Sequence, residues 1–356
     1  MHKEENFQTV TLIAGDGIGP EVTAAACEVV LASGAQVIFE PVLAGMAAME
    51  QTGTPLPKNV FQSIKKHHLV LKGPTQTPFG GDYRVRVEME NAQGQTEVRS
   101  HPSVAIALRK ELSLYVNVRP IRNYPNVPSR YENIDLLIFR ENSEDLYTGQ
   151  ERMIDANTAE AIKIITASAT QRVTRFALDY MRRLNRQRLT VGHKANVMKM
   201  TDGLFLKTAM EVAKPYVDIQ MEQRVVDALC MELVMKPESF DALLLPNLYG
   251  DIISDLAAGL VGGLGVAPGA NIGADCAMFE AVHGSAPDIA GKDVANPMAA
   301  ILSAVMMLRY IHQPQAADRI EKALSRVLAD KKDITRDLGG SVGTRQMTAA
   351  IIRALN

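Results

Sequence analysis

Asp251 and Asp255 stand four residues apart in Asn247-Leu-Tyr-Gly-Asp-Ile-Ile-Ser-Asp255, with no other charge between them. On a helix that spacing puts both carboxylates on one face. Two anions so placed repel, and a hard divalent cation such as Mg²⁺ or Mn²⁺ turns the repulsion into coordination. Acids also suit a helix start through its dipole, so the spacing by itself leaves both readings open. Arg109, Arg119 and Arg140 each fall near the end of a helical or apolar run. One such arginine is an ordinary surface ion pair. Three of them, in a chain of net charge −2, suit a substrate with several carboxylates, which guanidinium forks grip in pairs of hydrogen bonds. Lys194 follows the strand expected over 188–192, at the strand end where α/β sheets bind ligands and where a lysine can serve as a base. Asp227 stands in the mostly apolar stretch 225–235, either at a helix edge or as a third carboxylate ligand. Tyr147, in Glu141-Asn-Ser-Glu-Asp-Leu-Tyr147, is equally compatible with plain packing.

The elements that must position these groups alternate between strand and helix. Residues 240–245 form a short apolar run, Pro246-Asn247 breaks it, and helical spacing begins at Asp251. Upstream, a β-rich run at 9–14 leads through Gly15-Asp-Gly-Ile-Gly-Pro-Glu21 into a helix ending at Gly34. That glycine turn is neither a dinucleotide G-x-G-x-x-G nor a Walker A sequence. Residues 68–72 deliver the loop 73–81, and the alternation in 83–99 around Gly94 predicts a hairpin carrying Arg84, Arg86 and Arg99. A long helix is expected over 158–183, capped by Thr158, and two more near 297–310 and 317–329, followed by a tail. The loop from Glu280 to Pro297 offers small residues, the imidazole of His283, and Asp288 as an acceptor for a ribose diol.

Composition narrows the setting. At 356 residues the chain can bury a large core in two lobes. The near-neutral charge provides no broad field for nucleic acid or membrane lipid, and the longest near-apolar run, 299–308, is too short to span a bilayer. Cys27, Cys230 and Cys276 are scattered without a CxxC pair, as buried thiols in a reducing compartment would be, and the N-terminus has no apolar signal region. The expectation is a cytosolic protein with a small-molecule partner.

Taken together, GDGIGPE at 15–21, LRK at 108–110, NVRP at 117–120, RENSEDLY at 140–147, HKAN at 193–196, NLYGDIISDLAAGLVGG at 247–263 and HGSAPDIAGKDVANP at 283–297 resemble the isocitrate and isopropylmalate dehydrogenase family over nearly the whole chain. Within it, the chain resembles the NAD-using isocitrate branch. The resemblance implies an α/β fold that is not a Rossmann fold, with two lobes sharing a large mixed sheet. The cofactor lobe would combine 1–112 with 258–356, and 113–257 would form the smaller one. It implies Arg109, Arg119 and Arg140 on substrate carboxylates, with Ser103 on the carboxylate peculiar to isocitrate. It also implies Asp227, Asp251 and Asp255 on Mg²⁺ or Mn²⁺, Lys194 as base and Tyr147 as the acid at C3. His283, Gly284, Ser285, Ala286, Asp288, Ile289 and Asn296 would line the NAD site. The active site would be shared across a homodimer, Lys194 and Asp227 coming from the neighbour. Two features depart from the pattern: Ala105 stands where family isocitrate enzymes usually carry asparagine, and the 83–99 hairpin is long. They leave a related 2-hydroxy acid, such as homoisocitrate or another 3-substituted malate, as the alternative substrate, and a regulatory subunit as the non-catalytic alternative. An arginine of the hairpin is expected to make good the missing amide.

Overall fold

The computed structural model describes residues 7–76, 83–90 and 94–355. Its strands are β1 (Gln8–Ile13), β2 (Val37–Val42), β3 (Leu69–Lys72), β4 (Val85–Glu90), β5 (Thr96–His101), β6 (Val116–Arg122), β7 (Asp135–Glu141), β8 (Glu151–Asp155), β9 (Thr158–Ala161), β10 (Arg188–His193), β11 (Gln220–Val225), β12 (Ala242–Leu245), β13 (Pro268–Ile272) and β14 (Ala277–Ala281). The helices are α1 (Gly19–Ala32), α2 (Met46–Thr52), α3 (Lys58–His67), α4 (Val104–Glu111), α5 (Ala167–Arg183), α6 (Thr201–Ala213), α7 (Val226–Met235), α8 (Asn247–Leu260), α9 (Met298–Tyr310), α10 (Pro314–Asp330) and α11 (Thr344–Ala354).

Ten strands form one mixed sheet in the order β11-β10-β12-β7-β6-β13-β14-β3-β1-β2. Its two wings are parallel, and the centre, β7-β6-β13-β14, is antiparallel. The inner wing strands β12, ALLL, and β3, LVLK, are buried at every residue, as strands covered on both faces are. The seam between wings is the β6–β13 pairing, Val118 opposite Ala270 and Asn117 opposite Asn271. Strands on the β13 side come from the two ends of the chain and those on the β6 side from its middle.

The hairpin is present as β4 and β5, Val87 opposite Arg99. Val85 and Val87 bury one face of β4 in a cluster with Val104, Ala107, Leu108, Val60 and Ile64, so the hairpin braces α4. Part of the predicted loop 73–81 lies outside the described residues, as do residues 91–93 of the hairpin.

Three expectations need correction. Residues 158–161 are a strand paired with β8, and the helix begins at Ala167 with Thr166 as its cap, accepting from the Ala169 amide at 3.2 Å. Thr158, read as a cap, and the apolar Ile162 extended the helical pattern too far back. Helix α8 starts at Asn247 rather than Asp251, because Pro246 occupies the cap, where its ring does no harm. The tail contains α11, whose Met347, Thr348, Ala350 and Ile351 are buried.

Candidate active site

Strand β7 carries Arg140 and β6 carries Arg119, while α8, leaving β12 at Pro246, presents Asp251 and Asp255 to both. Arg140 is fully buried. Its Nε and Nη2 donate to Asn247 Oδ1 at 3.0 and 2.7 Å, and its Nη1 donates to Asp251 Oδ1. Room for this comes from Gly250: a Cβ there would lie 2.5 Å from Arg140 Cγ. Arg119 donates to Ser254 Oγ at 2.5 Å and Asp255 Oδ1 at 3.1 Å, and lies 3.5 Å from Asp251. Tyr147, in the turn Asp145–Thr148, donates to Asp251 Oδ2 at 2.5 Å, and the Arg140 guanidinium sits 4.9 Å from its ring centre.

The electrostatics show how strained this meeting of cations is. Burial, then Arg109 and Arg119, bring the Arg140 guanidinium down to about 10. Burial alone would raise Asp251, but Arg140, Tyr147 and Arg119 hold its carboxyl below the usual range. Asp255 goes the other way, raised by burial and by Asp251, with Arg119 opposing. A cluster in which guanidinium groups depress one another attracts further negative charge.

Arg109, in the last turn of α4, reaches Glu280 of β14 at 3.5 Å, and Glu280 also pairs with Lys72 of β3 at 2.7 Å. Burial would raise Glu280, yet Lys72 and Arg109 outweigh it and keep the carboxylate charged. A chain of buried amides joins this pair to Arg119: Asn271 donates to Glu280 at 2.8 Å, Asn117 donates to Asn271 at 3.0 Å, and Arg119 Nε donates to Asn117 at 2.7 Å. The network crosses the seam and fixes two of the arginines in one frame. Ser103 caps α4, its hydroxyl accepting from the Ile106 amide at 3.2 Å and keeping its own proton for another acceptor. Of the hairpin arginines, Arg99 is held by Glu97 and Glu111, both at 3.0 Å, and Arg84 lies 3.8 Å from Glu151. Arg84 and Arg99 are thus engaged with acidic partners, and Arg86 lines a pocket beside Lys58 and Tyr83 that does not include Ala105, so the structure gives the expected compensation no support.

Lys194 and Asp227 form a separate pair. Lys194 leaves β10 with its amide donating to buried Asp202 at 2.6 Å, and its Nζ donates to Asp227 Oδ1 at 2.6 Å. Asp227, in the first turn of α7, has 69% of its side chain exposed. Among the described residues no three His, Cys, Asp or Glu side chains converge as a metal site would require. Asp251 and Asp255 supply hard oxygens on one helix face, which fits a divalent cation, but a single chain does not bring Asp227 to them.

The cofactor-loop residues lie against the glycine turn. Gly15 and Gly17 have φ of 80° and 60°, and added Cβ atoms would fall 2.2 Å from Pro74 O and 2.0 Å from Ser285 O. The turn is thus a seat for two loops: Ile18 N donates to Ser285 O at 2.8 Å, and buried Asp16 accepts from Gln76 N at 2.7 Å and Met46 N at 2.8 Å. Gln76 also reaches Ser285 Oγ at 2.9 Å. His283 donates from Nδ1 to Gly284 O at 2.9 Å. Ala286 is held at φ 38°, and Asp288 is exposed in the turn Pro287–Ile289. Asn296 is buried, donating to Asp337 at 2.8 Å and accepting from Met298 N at 2.9 Å, so its amide serves the loop's own frame.

Sequence reasoning passed over Lys72, Glu280, Asn117, Asn271 and Asn247. Asn247 opens α8; for the other four the signal was a charge or amide inside a largely apolar strand, as in LVLK, MFEA and GANI, which a buried sheet tolerates only with a partner.

A two-winged mixed sheet with arginines, aspartates and a tyrosine gathered at its centre has known counterparts. The family model described as isocitrate/isopropylmalate dehydrogenase matches residues 9–351, and the chain belongs to that family. It is 43% identical to the human protein named isocitrate dehydrogenase [NAD] subunit alpha, mitochondrial, over 97% of this chain and 90% of that one. It is 44% identical to isocitrate dehydrogenase [NAD] catalytic subunit 5, mitochondrial, of Arabidopsis thaliana, over 96% and 87%. A crystal structure of isocitrate dehydrogenase from Methylococcus capsulatus superposes with a TM-score of 0.91 at 46% identity, covering 98% of this chain and 99% of that one. The names of the human and plant relatives contradict the cytosolic expectation, because both place their proteins in mitochondria.

Proposed function

We propose that the chain oxidises and decarboxylates isocitrate to 2-oxoglutarate and passes the hydride to NAD. The observation that carries this reading is the convergence of Arg119 and Arg140 on Asp251 beside the Tyr147 hydroxyl, with burial and, after it, Arg109 lowering both guanidinium groups. A substrate with three carboxylates relieves that concentration of positive charge. The names of the relatives support the substrate and the cofactor.

Arg109, Arg119, Arg140 and Ser103 bind and orient the substrate carboxylates. Lys194 accepts the C2 hydroxyl proton, and Tyr147 delivers a proton to C3 after CO₂ leaves. NAD, held by His283, Gly284, Ser285, Ala286, Asp288, Ile289 and the frame of Asn296, supplies the hydride acceptor. Asp251 and Asp255, with Asp227 of a second copy, would hold Mg²⁺ or Mn²⁺, whose chemistry is polarisation of the C2 oxygen and its neighbouring carboxylate.

The working unit is a homodimer with Lys194 and Asp227 donated across the two-fold axis. Met231, Val234 and Met235 on α7 and Ile252 on α8 expose an apolar face next to Asp227 and Asp251, which supports burial against another chain. The word "subunit" in the relatives' names favours a second reading, pairing with an unlike chain, and mass measurement of the purified protein separates the two. The division into a cofactor lobe of 1–112 with 258–356 and a smaller lobe of 113–257 is supported by the strand order, in which strands of the two chain ends lie on the β13 side and those of the middle on the β6 side. NADH formation across a panel of 2-hydroxy acids tests the substrate. Isocitrate should be preferred, and a preference for homoisocitrate would assign the space beside Ala105 to a longer substituent.

A further inference from the structure

Strand β5 is exposed from Thr96 to Ser100 and buries only His101. A two-stranded hairpin is marginal by itself, so what it docks against decides its place. β5 docks on the last residue of α4. His101 Nε2 lies 2.8 Å from Glu111 Oε1, and Arg99 Nη1 donates to Glu111 Oε2 at 3.0 Å. The Glu111 side chain is only 3% exposed. Burial would raise its carboxyl, but the bond to His101 and the charge of Arg99 outweigh it and hold the group below its usual range. A carboxylate only accepts, so the hydrogen of the 2.8 Å contact belongs to His101 Nε2. Buried His101 Nδ1 has no partner among the described residues, which leaves Glu111 as the ring's one polar tie.

The place of Glu111 matters because of its neighbours. Successive helical residues point about 100° apart, and the last turn of α4 commits three of them to three parts of the molecule. Arg109 lies 3.5 Å from Glu280 of β14. Lys110 Nζ donates to Thr148 O at 3.0 Å, in the turn that carries Tyr147. Glu111 is held by β5, while Val104, Ala107 and Leu108 of the same helix share a buried cluster with Val85 and Val87 of β4. A slide or rotation of α4 would strip Glu111 of both partners and leave a buried carboxylate unpaired, which is strongly unfavourable. The cluster therefore selects one position of the helix, and with it one position of Ser103 at its cap and of Arg109 in its last turn.

We infer that His101 and Glu111 are positioning residues: the hairpin is a strut that fixes α4 and so sets how tightly Ser103 and Arg109 take the substrate. This rests on the reading of those two residues as carboxylate ligands given above. Among the described residues neither His101 nor Glu111 is bonded to Arg119, Arg140, Tyr147 or Lys194, so the strut governs binding and not the chemical steps.

The test uses His101→Leu, which removes the donor, and His101→Gln, whose side-chain amide restores one. The full-length protein is compared by isocitrate kinetics at saturating NAD and by calorimetric titration with isocitrate and Mg²⁺. His101→Leu should raise KM for isocitrate about fivefold or more, on the order of one hydrogen bond, with kcat and KM for NAD within about twofold of wild type. His101→Gln should recover most of the loss. Arg99→Met, which takes the other donor from Glu111 at a half-exposed position, should also raise KM for isocitrate at unchanged kcat, and it tests the strut if His101→Leu does not fold. A fall in kcat at unchanged KM, the mark of less folded protein, would overturn the positioning role. So would isocitrate binding equal to wild type in both His101→Leu and Arg99→Met. A wild type that fails to bind isocitrate in the titration would overturn the substrate reading and this proposal with it.

Discussion

The Tyr147 hydroxyl donates to Asp251 Oδ2 at 2.5 Å, while the other oxygen of the same carboxylate accepts from Arg140. The acid expected at C3 and a carboxylate expected at the metal thus share one hydrogen bond. Burial raises the phenol above its usual range, Arg140 opposes, and the bond to Asp251 adds to the rise, so the proton is retained near neutral pH. Tyr147→Phe should therefore abolish overall turnover yet leave reduction of a supplied 2-oxo intermediate within about tenfold of wild type. Equal loss of both half-reactions would remove Tyr147 from the protonation step.

Gly250 is the reason Arg140 can lie flat on α8. Gly250→Ala puts a methyl 2.5 Å from Arg140 Cγ and 2.7 Å from its Cβ, and neither atom belongs to a flexible tip. Overpacking of that kind costs about 1–3 kcal/mol. Urea unfolding should show this loss, and KM for isocitrate should rise because the displaced guanidinium leaves the cluster. A variant as stable and as active as wild type would mean Arg140 has another resting place.

On the proposed NAD reading, cofactor choice would turn on Asp288, exposed in the turn 287–289 beside half-buried Ile289. A carboxylate accepts from the ribose hydroxyls of NAD and repels the 2′-phosphate of NADP. Asp288→Lys with Ile289→Tyr should shift the ratio of kcat/KM toward NADP by about tenfold or more, a repulsion becoming an attraction. No shift would place the adenosine ribose elsewhere.

Glu144 ties the turn that carries Tyr147 to the start of α5, accepting from Thr166 N and Oγ1, both at 2.8 Å. Burial raises its carboxyl to about 7, against the Thr166 bonds, with Glu141 adding repulsion. The folded value lies above the unfolded one, so this group's contribution to stability is complete below about 4.5 and is lost as pH rises through about 7. Glu144→Gln should flatten that part of the pH dependence when urea midpoints are compared at several pH values across the window. An unchanged slope would assign the pH dependence to other groups.

How far the sequence alone led is clearest at α8. The strand, the break at Pro246 and the shared face of Asp251 and Asp255 were all legible, because each rests on local spacing. So was the hairpin, through its alternation around Gly94. What local pattern could not show was pairing at long range. The Lys72–Glu280 pair spans more than two hundred residues, and its partners look like stray charges until β3 and β14 lie side by side. The helix predicted from Thr158 failed for a related reason: the pairing of 158–161 with β8 overrode a helical pattern that Ile162 and Ile165 seemed to continue. The role of Gly15 and Gly17 as a seat for loops 73–76 and 285 was likewise invisible until those loops were placed.

Lys194 and Asp227 pair with each other, apart from the cluster around Tyr147, and the account requires them to serve the site of a second copy. Tyr147→Phe and Lys194→Met, each inactive alone, should therefore complement each other in a mixed dimer. In a randomly reassociated equal mixture half the dimers are hybrids with one intact site of two, so NADH formation from isocitrate should return to about a quarter of wild type. No recovery, with hybrid dimers demonstrated by mass, would contradict a site shared between copies of this chain.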